Sequence, residues 1–600
     1  MIHINSLEPQ ASFICLSAKP TVGTEIIITL IMHKPSSQAD KATVSKLLAR
    51  AVLGADLELI DSVTRKGYSN WVDEQLKRPV QISFQKTTEE IWDYFRNAYI
   101  KKWGRGKVVG NDQVQPYWFY WRMAWWHNIM NTDDQLRQRA TLALSEIFVI
   151  SEKSNLELSG PGLANYYDML SKHAFGNYRD LLFDVTMHPM MGVYLSHMNN
   201  GKTDKAKNLH PDENYAREIM QLFSIGLYEL NTDGTRKKDA KGNDIPTYDN
   251  NDIKEFAKIF TGFAPASYQY AWGGFEGYSV EWANEYNYLV PTINTTDPMQ
   301  LMEQWHEPGK KHLLRNTAVP AGQTALQDIN AAIDNLFHHP NVGPFIGKLL
   351  IQRLVTSNPS KGYVKRVAEA FNDNGKGERG DMGHVFRSIL LDPEALSEKS
   401  LSDPTFGKVR EPLLRATQAL KAFKASNESG KFWFWGHRLE KTVEQSILAS
   451  PTVFNFFLPD HQPNGPIADN DLVSPEMQIH NSATSIDYIN LMYEWFYAHS
   501  PLMVTTVPSS RKIEAPETDN PVRLRKEDRV SFDFSTETAL AKQPEALLDH
   551  LDILLAGGQL SDKTKKTIIQ SLKPFKGDDN IVARTAAFMV MISPDYAIQK

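Results

Sequence analysis

Apolar residues recur along most of this chain at steps of three and four positions, the spacing that puts them on one face of an α-helix. In the first half this pattern predicts helices over residues 42–53, 56–65, 68–76, 88–103, 135–149, 161–172, 178–187, 190–198 and 251–260. In the second half it predicts helices over 325–337, 342–354, 363–371, 382–391, 411–423, 439–449, 485–499, 544–555, 562–572 and 581–592. The predicted fold class is therefore predominantly α, as one large multi-helical body.

Four stretches depart from the amphipathic pattern. Residues 117–128 are apolar nearly all round, which predicts a fully buried helix. Residues 264–320 lose the helical period and are dense in Tyr, Trp, Gly and Asn, which predicts an irregular insertion with short strands. Residues 505–535 are polar and predict a linker. Residues 1–39 predict an N-terminal tail before one helical domain over 40–600.

The stretch from His210 to Phe223 combines an apolar face with charged and amide side chains. Pro211 suits a first helical turn, since its missing N–H would have no partner there. The helix predicted here has an apolar stripe formed by Ile219, Leu222, Phe223, Leu227 and Leu230. Its other side carries two pairs four residues apart, which are Glu213 with Arg217 and Asn214 with Glu218.

These side chains have the chemistry of an acid–base site. Carboxylates, Tyr and His take up or release protons, while Arg and Asn bind a substrate carboxylate. The predicted catalytic residues are Glu218, Arg217, Glu213, Tyr215, Tyr167 and His173. The predicted substrate-binding residues are Asn214, Asn200, Trp125 and Trp126. The alternative is a structural network in which the same Arg, Glu and Asn side chains brace neighbouring helices.

Metal binding is a second candidate chemistry. His188, His197 and His210 lie close together in the sequence and two acidic residues follow, an inventory that suits Zn, Mn or Fe. These three histidines are the candidate ligands, and a divalent metal is the candidate cofactor. The sequence has no HExxH or comparable fixed spacing to support them. A polar loop holds a second candidate pair, His306 and His312.

Composition and motifs narrow the function classes. The formal charge of −6 gives no reason to expect a nucleic-acid partner. The 13 Trp and 22 Tyr residues would suit stacking on sugars, although a large core also uses aromatic residues. The single cysteine, Cys15, excludes an intrachain disulfide framework and a zinc site of several thiolates. GxSxG and Walker A patterns are missing, and the Gly-rich stretch at 374–380 joins two predicted helices instead of following a strand. A serine triad or a nucleotide site is therefore not predicted.

Membrane insertion is not predicted either. No stretch of the sequence approaches the ~20 apolar residues that span a bilayer. Residues 25–32 are apolar, but the run is short, follows polar sequence and lacks a basic region and a clear cleavage site. We therefore do not interpret this run as a signal peptide.

Several blocks of the sequence carry a likeness to a known family. They include RQRATLALSEIFV at 137–149, HAFGNY at 173–178, PDENYARE at 211–218, FTGF at 260–263, HPNV at 339–342, RLV at 353–355, LDPE at 391–394, REP at 410–412 and SPTVFN at 450–455. In these blocks and their order the chain resembles bacterial proteins that carry domain of unknown function 1800, from about residue 40 to the end. Phe263 and His461 depart from the Trp and Tyr expected there.

The resemblance implies an exported protein, periplasmic or extracellular, because family members are commonly exported and often encoded beside another exported protein. Two function hypotheses follow. The first is an enzyme that acts on an acidic or other polysaccharide by proton transfer, of epimerase or lyase type, by analogy with helical polysaccharide enzymes. The second is a non-catalytic scaffold or chaperone that works with a co-exported partner, for which the aromatic insertion would supply the contact surface.

Overall fold

The computed structural model describes residues 38–103, 116–270, 291–397, 402–434, 436–497, 526–528 and 530–600. Residues 1–37 of the predicted tail lie outside this part of the chain, and so do residues 505–525 of the predicted linker. Residues 271–290 of the predicted insertion also lie outside it.

The first part of the chain is helical, as its apolar period predicts. The helices are α1 (Gln38–Ala51), α2 (Leu57–Lys66), α3 (Tyr68–Lys77), α4 (Phe84–Trp103), α5 (Trp118–Asn131), α6 (Gln135–Ser145), α7 (Gly160–His173), α8 (Tyr178–Met187) and α9 (Pro189–Tyr194). Side-chain caps fix several starts: Asp56 accepts from the amide of Leu59 at 2.8 Å, and Asn177 accepts from the amide of Arg179 at 2.9 Å.

Two of these helices form the centre of the molecule. Helix α5 buries both faces, including Trp121 and Trp125, which confirms the prediction of a buried helix there. Every residue of α6 from 136 to 145 is buried, including Arg137 and Arg139. A buried guanidinium group needs hydrogen-bond or charged partners. The packing of α6 therefore depends on partners from helices that come later in the chain.

The next two helices are α10 (Asn214–Gln221) and α11 (Asn250–Ile259), which pack against each other. Helix α10 is shorter than the stretch predicted from His210, because the Asp212 carboxylate accepts from the amide of Asn214 at 2.8 Å and holds the entry as a turn. At its other end Gly226 has a φ of 71°, and its amide donates to Met220 O at 3.0 Å. The chain therefore leaves the helix before Leu227, which is 49% exposed and not part of the apolar stripe predicted for it.

The predicted insertion contains short antiparallel strand pairs. Strand β1 (Phe263–Ala264) pairs with β4 (Gln300–Leu301), β2 (Tyr268–Tyr270) with β3 (Pro291–Ile293), and β5 (Lys311–Leu313) with β6 (Thr317–Val319). The β5–β6 hairpin packs on α11, where Glu255 accepts from the amide of His312 at 2.9 Å. The expectation of short strands lying on the helical body is confirmed for the described residues.

Helices dominate the rest of the chain. They are α12 (Ala325–Phe337), α13 (Val342–Leu354), α14 (Lys361–Asn372), α15 (Met382–Leu390), α16 (Pro393–Leu396), α17 (Pro412–Ala422), α18 (His437–Val443), α19 (Pro466–Asp469), α20 (Ser482–Tyr497), α21 (Ser535–Leu540), α22 (Pro544–Leu551), α23 (Asp562–Leu572), α24 (Asp579–Met591) and α25 (Pro594–Ala597). Strand β7 (Lys408–Val409) pairs with β8 (Ile598–Gln599), which ties the end of the chain beside the start of α17.

The predominantly α fold class is therefore confirmed. One large cluster of buried apolar side chains runs through the described helices from α1 to α25. Among the described residues, no helix is long and apolar enough to cross a membrane.

Candidate functional site

Asn200 positions the entry to α10. Its Oδ1 accepts from the amide of Asp212 at 2.8 Å, and its Nδ2 donates to the carbonyl of Phe260 at 2.8 Å. Asn200 is buried, with 8% of its surface exposed. It therefore ties the turn before α10 to the end of α11, and its amide is occupied by backbone groups rather than offered to a ligand.

The α-helical period divides the residues of α10 between core and solvent. Tyr215 and Ile219 are buried, whereas Asn214 is exposed and the Arg217 side chain is 43% exposed. The guanidinium Nη2 of Arg217 lies 3.6 Å from a carboxylate oxygen of Glu213, the pairing expected four residues apart. The exposed edge of α10 thus presents a cation and an amide to solvent.

Glu218 lies at the boundary between these two faces. The residue is 6% exposed, and its Oε2 is buried without a hydrogen-bond partner. Burial raises the pKa of Glu218, and the neighbouring Arg217 charge offsets this only in part. A buried carboxyl group beside an exposed cation, with one oxygen unpartnered, has the properties of a general acid or base.

Two tyrosines that the sequence did not indicate lie near Glu218. Burial, reinforced by the Glu218 charge, raises the pKa of Tyr194 to about 12 and that of Tyr248 to about 12. The Tyr248 hydroxyl donates to Oε1 of Gln221 at 3.2 Å, and both tyrosines are half-buried. The turn after Tyr194 is joined to the entry of α10, since Ser196 Oγ donates to an Asp212 carboxylate oxygen at 3.1 Å. These residues form the α10 site: Glu218, Arg217, Tyr194 and Tyr248, with Asn214 at its edge.

Tyr215 faces away from solvent, into the core behind α10. Its hydroxyl lies 2.7 Å from Thr186 Oγ1, and its ring stacks on His197 with centroids 3.9 Å apart. His197 Nε2 donates to the Thr186 carbonyl at 2.9 Å, which leaves Nδ1 unprotonated. Burial lowers the pKa of His197 to about 4, so the ring is neutral at pH 7.

The three histidines predicted as metal ligands have separate surroundings. His188 uses both ring nitrogens: Nδ1 accepts from the amide of Met190 at 3.2 Å, and Nε2 lies 2.8 Å from Oδ1 of Asn165. His197 is engaged with Thr186, and His210 is exposed. In the described part of the chain, no group of three or more His, Cys, Asp and Glu side chains is placed to hold a metal ion.

The second predicted histidine pair is also separated. His306 is buried, and its Nε2 lies 2.9 Å from Asp328, a carboxylate that Lys311 also contacts. His312 is exposed on strand β5. His306, Asp328 and Lys311 join the insertion to α12.

The remaining predicted site residues lie away from α10. Tyr167 and Trp125 are both 0% exposed in the core, and Trp126 is 2% exposed, so protein covers the rings that were predicted to stack on a substrate. The Tyr167 hydroxyl lies near Glu146 and Arg139 rather than Glu218. His173 contacts Asp184 at 2.6 Å, beside Lys172 at the end of α7. The structure therefore divides the sequence-predicted set among several places.

The comparisons with known proteins give the family. The family model described as a protein of unknown function (DUF1800) matches residues 46–598, which is nearly the whole chain. The chain belongs to the DUF1800 family. No curated protein and no solved structure matches it. The matched region includes helix α10 and the PDENYARE sequence at 211–218. The description of the family assigns no activity.

Proposed function

We propose that this DUF1800 protein is an enzyme that transfers protons on an acidic polysaccharide, as an epimerase or a lyase. The observation that carries the proposal is the Glu218 carboxyl group, buried with an unpartnered oxygen at the edge of a solvent-facing helix. Its raised pKa makes Glu218 a stronger base than an ordinary carboxylate. The family resemblance supports a periplasmic or extracellular location for such an enzyme.

The neighbours of Glu218 suit chemistry next to a uronate carboxylate. Removing the proton from C5 of a uronate places negative charge on that carboxylate, and a cation beside it stabilises the transition state. Arg217 is the exposed cation next to Glu218, and Asn214 adds an exposed amide. Both would bind the substrate carboxylate at the rim of the site.

Tyr194 and Tyr248 supply the second proton transfer. Because both have a raised pKa, they carry their protons at pH 7 and serve as acids. In this scheme Glu218 takes the C5 proton. A tyrosine then gives a proton to C5 from the other side, which inverts the centre, or to the departing oxygen at C4, which leaves a double bond. Solvent returns each group to its starting state.

The test is incubation with a panel of uronate polysaccharides in heavy water. An unsaturated uronate detected by ultraviolet absorbance would support a lyase, and deuterium at C5 with inverted stereochemistry in the NMR spectrum would support an epimerase. A panel that shows no double bond, no inversion and no deuterium uptake overturns the proposal. Cell fractionation of the native host tests the location.

The second candidate function is a scaffold or chaperone that works with a co-exported partner. The observation that favours it is Trp305, which lies in the insertion and is 57% exposed. Exposed large aromatic residues are often contact points for another protein. Co-purification from the native host, compared with a Trp305→Ser variant, tests it. A protein that purifies alone and turns over a polysaccharide excludes the scaffold.

A further inference from the structure

One exposed face of α23 and the turn after it carries an excess of positive charge. Between Ser561 and Asp578 the chain has five lysines and two aspartates, although its overall formal charge is −6. Four of these lysines are exposed, and a partly exposed phenylalanine lies between the last two. We call these five residues the α23 basic face: Lys563, Lys566, Lys573, Phe575 and Lys576.

The helical period places the lysines of the helix itself on one side. Ile568 and Leu572 are buried, and they hold the opposite side of α23 against α24. At 3.6 residues per turn, Lys563, Lys566 and Lys573 lie within about 80° of one another on the side that faces solvent. A 3₁₀ turn, Lys573–Phe575, follows the helix and leaves Phe575 40% exposed. The lysines and the ring therefore form a continuous row.

Lys565 provides a contrast on the same helix. It lies on the other side of α23 and forms ion pairs with Asp549 at 2.9 Å and with Asp552 at 3.0 Å. Within the part of the chain that the structure describes, none of the four lysines of the α23 basic face forms an ion pair. A solvated helix face usually balances its lysines with carboxylates three or four residues away, and this face does not.

The acidic residues nearest to the face lie at its two ends. Asp562 is exposed in the first turn of α23. The Asp578 carboxylate caps α24 by accepting from the amide of Ile581 at 3.0 Å. Asp579 lies 3.6 Å from Lys542. The four ammonium groups therefore repel one another with little compensation, and an opposing surface of negative charge would relieve this repulsion.

We propose that the α23 basic face binds the surface of an anionic lipid bilayer. The four ammonium groups contact the lipid phosphates, and the Phe575 ring enters the boundary between the headgroups and the acyl chains. A bilayer fits better than a single-stranded nucleic acid, because such a strand stacks its bases on several aromatic rings and this face has one ring at its end. The inference does not depend on the activity proposed for the α10 site.

Sedimentation of the full chain with lipid vesicles tests the proposal. Vesicles of phosphatidylglycerol carry the negative charge, and vesicles of phosphatidylcholine are the neutral probe. We expect binding to phosphatidylglycerol to be about tenfold tighter or more. Raising the salt concentration from ~0.1 M to ~1 M should weaken it strongly, because the screening length falls from ~10 Å to ~3 Å. Equal binding to both lipids, or no binding to phosphatidylglycerol, overturns the proposal.

Substitutions locate the contact on α23. The double variant Lys566→Gln with Lys573→Gln keeps good helix formers but removes two charges. It should bind phosphatidylglycerol about 25-fold more weakly, since each lysine near an anionic surface contributes about fivefold. Phe575→Ser should bind about fivefold more weakly or worse, because the apolar ring is lost. Affinity that is unchanged in either variant contradicts the proposal.

Matched controls make the same changes elsewhere. Lys254→Gln with Lys376→Gln alters two exposed lysines outside α23. Phe454→Ser removes a phenylalanine that is 43% exposed, close to the exposure of Phe575. Both controls should bind vesicles as wild type does. Circular dichroism and a melting curve show whether each variant folds, and if Phe575→Ser does not, the lysine variant still decides.

A DNA duplex in the same buffer tests the other polyanion. If wild type binds the duplex but not phosphatidylglycerol, and the double lysine variant loses the duplex, the face recognises a nucleic acid and the proposal is overturned.

Discussion

The Tyr215 ring lies on the ring of His197, with centroids 3.9 Å apart and planes inclined by 27°. This stack joins the first turn of α10 to the segment that follows α9, the helix that ends at Tyr194. Glu218 is one helical turn beyond Tyr215. The stack therefore holds α10, and with it Glu218, against the segment that follows Tyr194.

The burial of neutral His197 predicts a specific loss of stability in acid. The pKa of His197 in the folded state is about 4, below the value of about 6.5 in an unfolded chain. The stability that the neutral ring contributes is therefore present above pH 6.5 and is lost as pH falls towards 4. His197→Phe keeps a stacked ring but does not titrate. At pH 8 we expect it to be about 1 kcal/mol less stable than wild type, because the Thr186 carbonyl loses its donor.

Below pH 6 the difference between His197→Phe and wild type should shrink and then reverse. Urea unfolding at pH 8, 6.5 and 5 measures it. His210→Gln is the control, since His210 is exposed and should leave the pH dependence unchanged. A constant difference between His197→Phe and wild type at all three values would contradict a buried neutral imidazole.

Glu218→Gln separates chemistry from packing at the α10 site. Because Glu218 Oε2 has no hydrogen-bond partner and burial opposes its charge, the neutral amide should melt within a few degrees of wild type. Activity on the uronate polymer identified by the panel should fall ~10²-fold or more, the contribution typical of a general acid or base.

The matched control is Glu213→Gln, on the same helix, where only an exposed pair with Arg217 is lost. It should cost less than about 1 kcal/mol of stability and keep most of the activity. A Glu218→Gln variant that melts far below wild type, with residual activity in proportion, would return Glu218 to a structural role.

The helical period predicts only part of the two faces of α10, because it places Glu218 on the polar side and the structure buries this residue. Ile219 is buried and Arg217 exposed as expected. The predicted start of α10 was wrong. The Asp212 side chain caps a turn before the helix, which Pro211 alone would not indicate. Tyr194 and Tyr248 belong to other parts of the chain, so residue spacing within α10 could not predict that they lie near Glu218.

The same limit applies to the core. Arg139 and Glu146 fall on one face of the predicted helix by the 3.6-residue period. Their surroundings also depend on Glu411, which lies at the start of a helix far along the chain and whose charge, together with burial, raises the pKa of Glu146. Tertiary packing decides which carboxyl groups lie near each other, and the sequence pattern does not predict it.

Glu152 predicts a second pH dependence, of opposite sign to that of His197. Burial raises its pKa to about 7, although Arg122 opposes the shift. The folded state therefore binds this proton more tightly than the unfolded chain, whose pKa is about 4.3. The contribution of Glu152 to the free energy of unfolding is present below pH 4 and is lost as pH rises through 7. The loss is on the order of 3 kcal/mol.

The measurement is the free energy of unfolding of wild type minus that of Glu152→Gln at pH 5, 6, 7 and 8. The difference should change most between pH 6 and 8. Glu157→Gln, at an exposed glutamate nearby, should show no such change. Parallel pH profiles for wild type and Glu152→Gln would show that Arg122 holds Glu152 ionised throughout.

Lys408→Met tests how far the buried ion pairs of Lys408 with Glu411 and Glu476 stabilise the core. The ammonium contacts Glu476 and Glu411 and also donates to the Arg353 carbonyl, all inside the core. Methionine keeps the length of the side chain but leaves both carboxyl groups without their cation. Removing one partner of a buried pair typically costs about 3–5 kcal/mol, so the variant should melt well below wild type.

Lys153→Met is the control, because its pair with Glu440 is half exposed and should be worth less than about 1 kcal/mol. The loss in Lys408→Met should also be smaller at pH 5 than at pH 8, since protonation of Glu476, whose pKa burial raises, removes one of the stranded charges. A cost that is the same at both values would mean that packing against the lysine stem, rather than its charge, stabilises this part of the core.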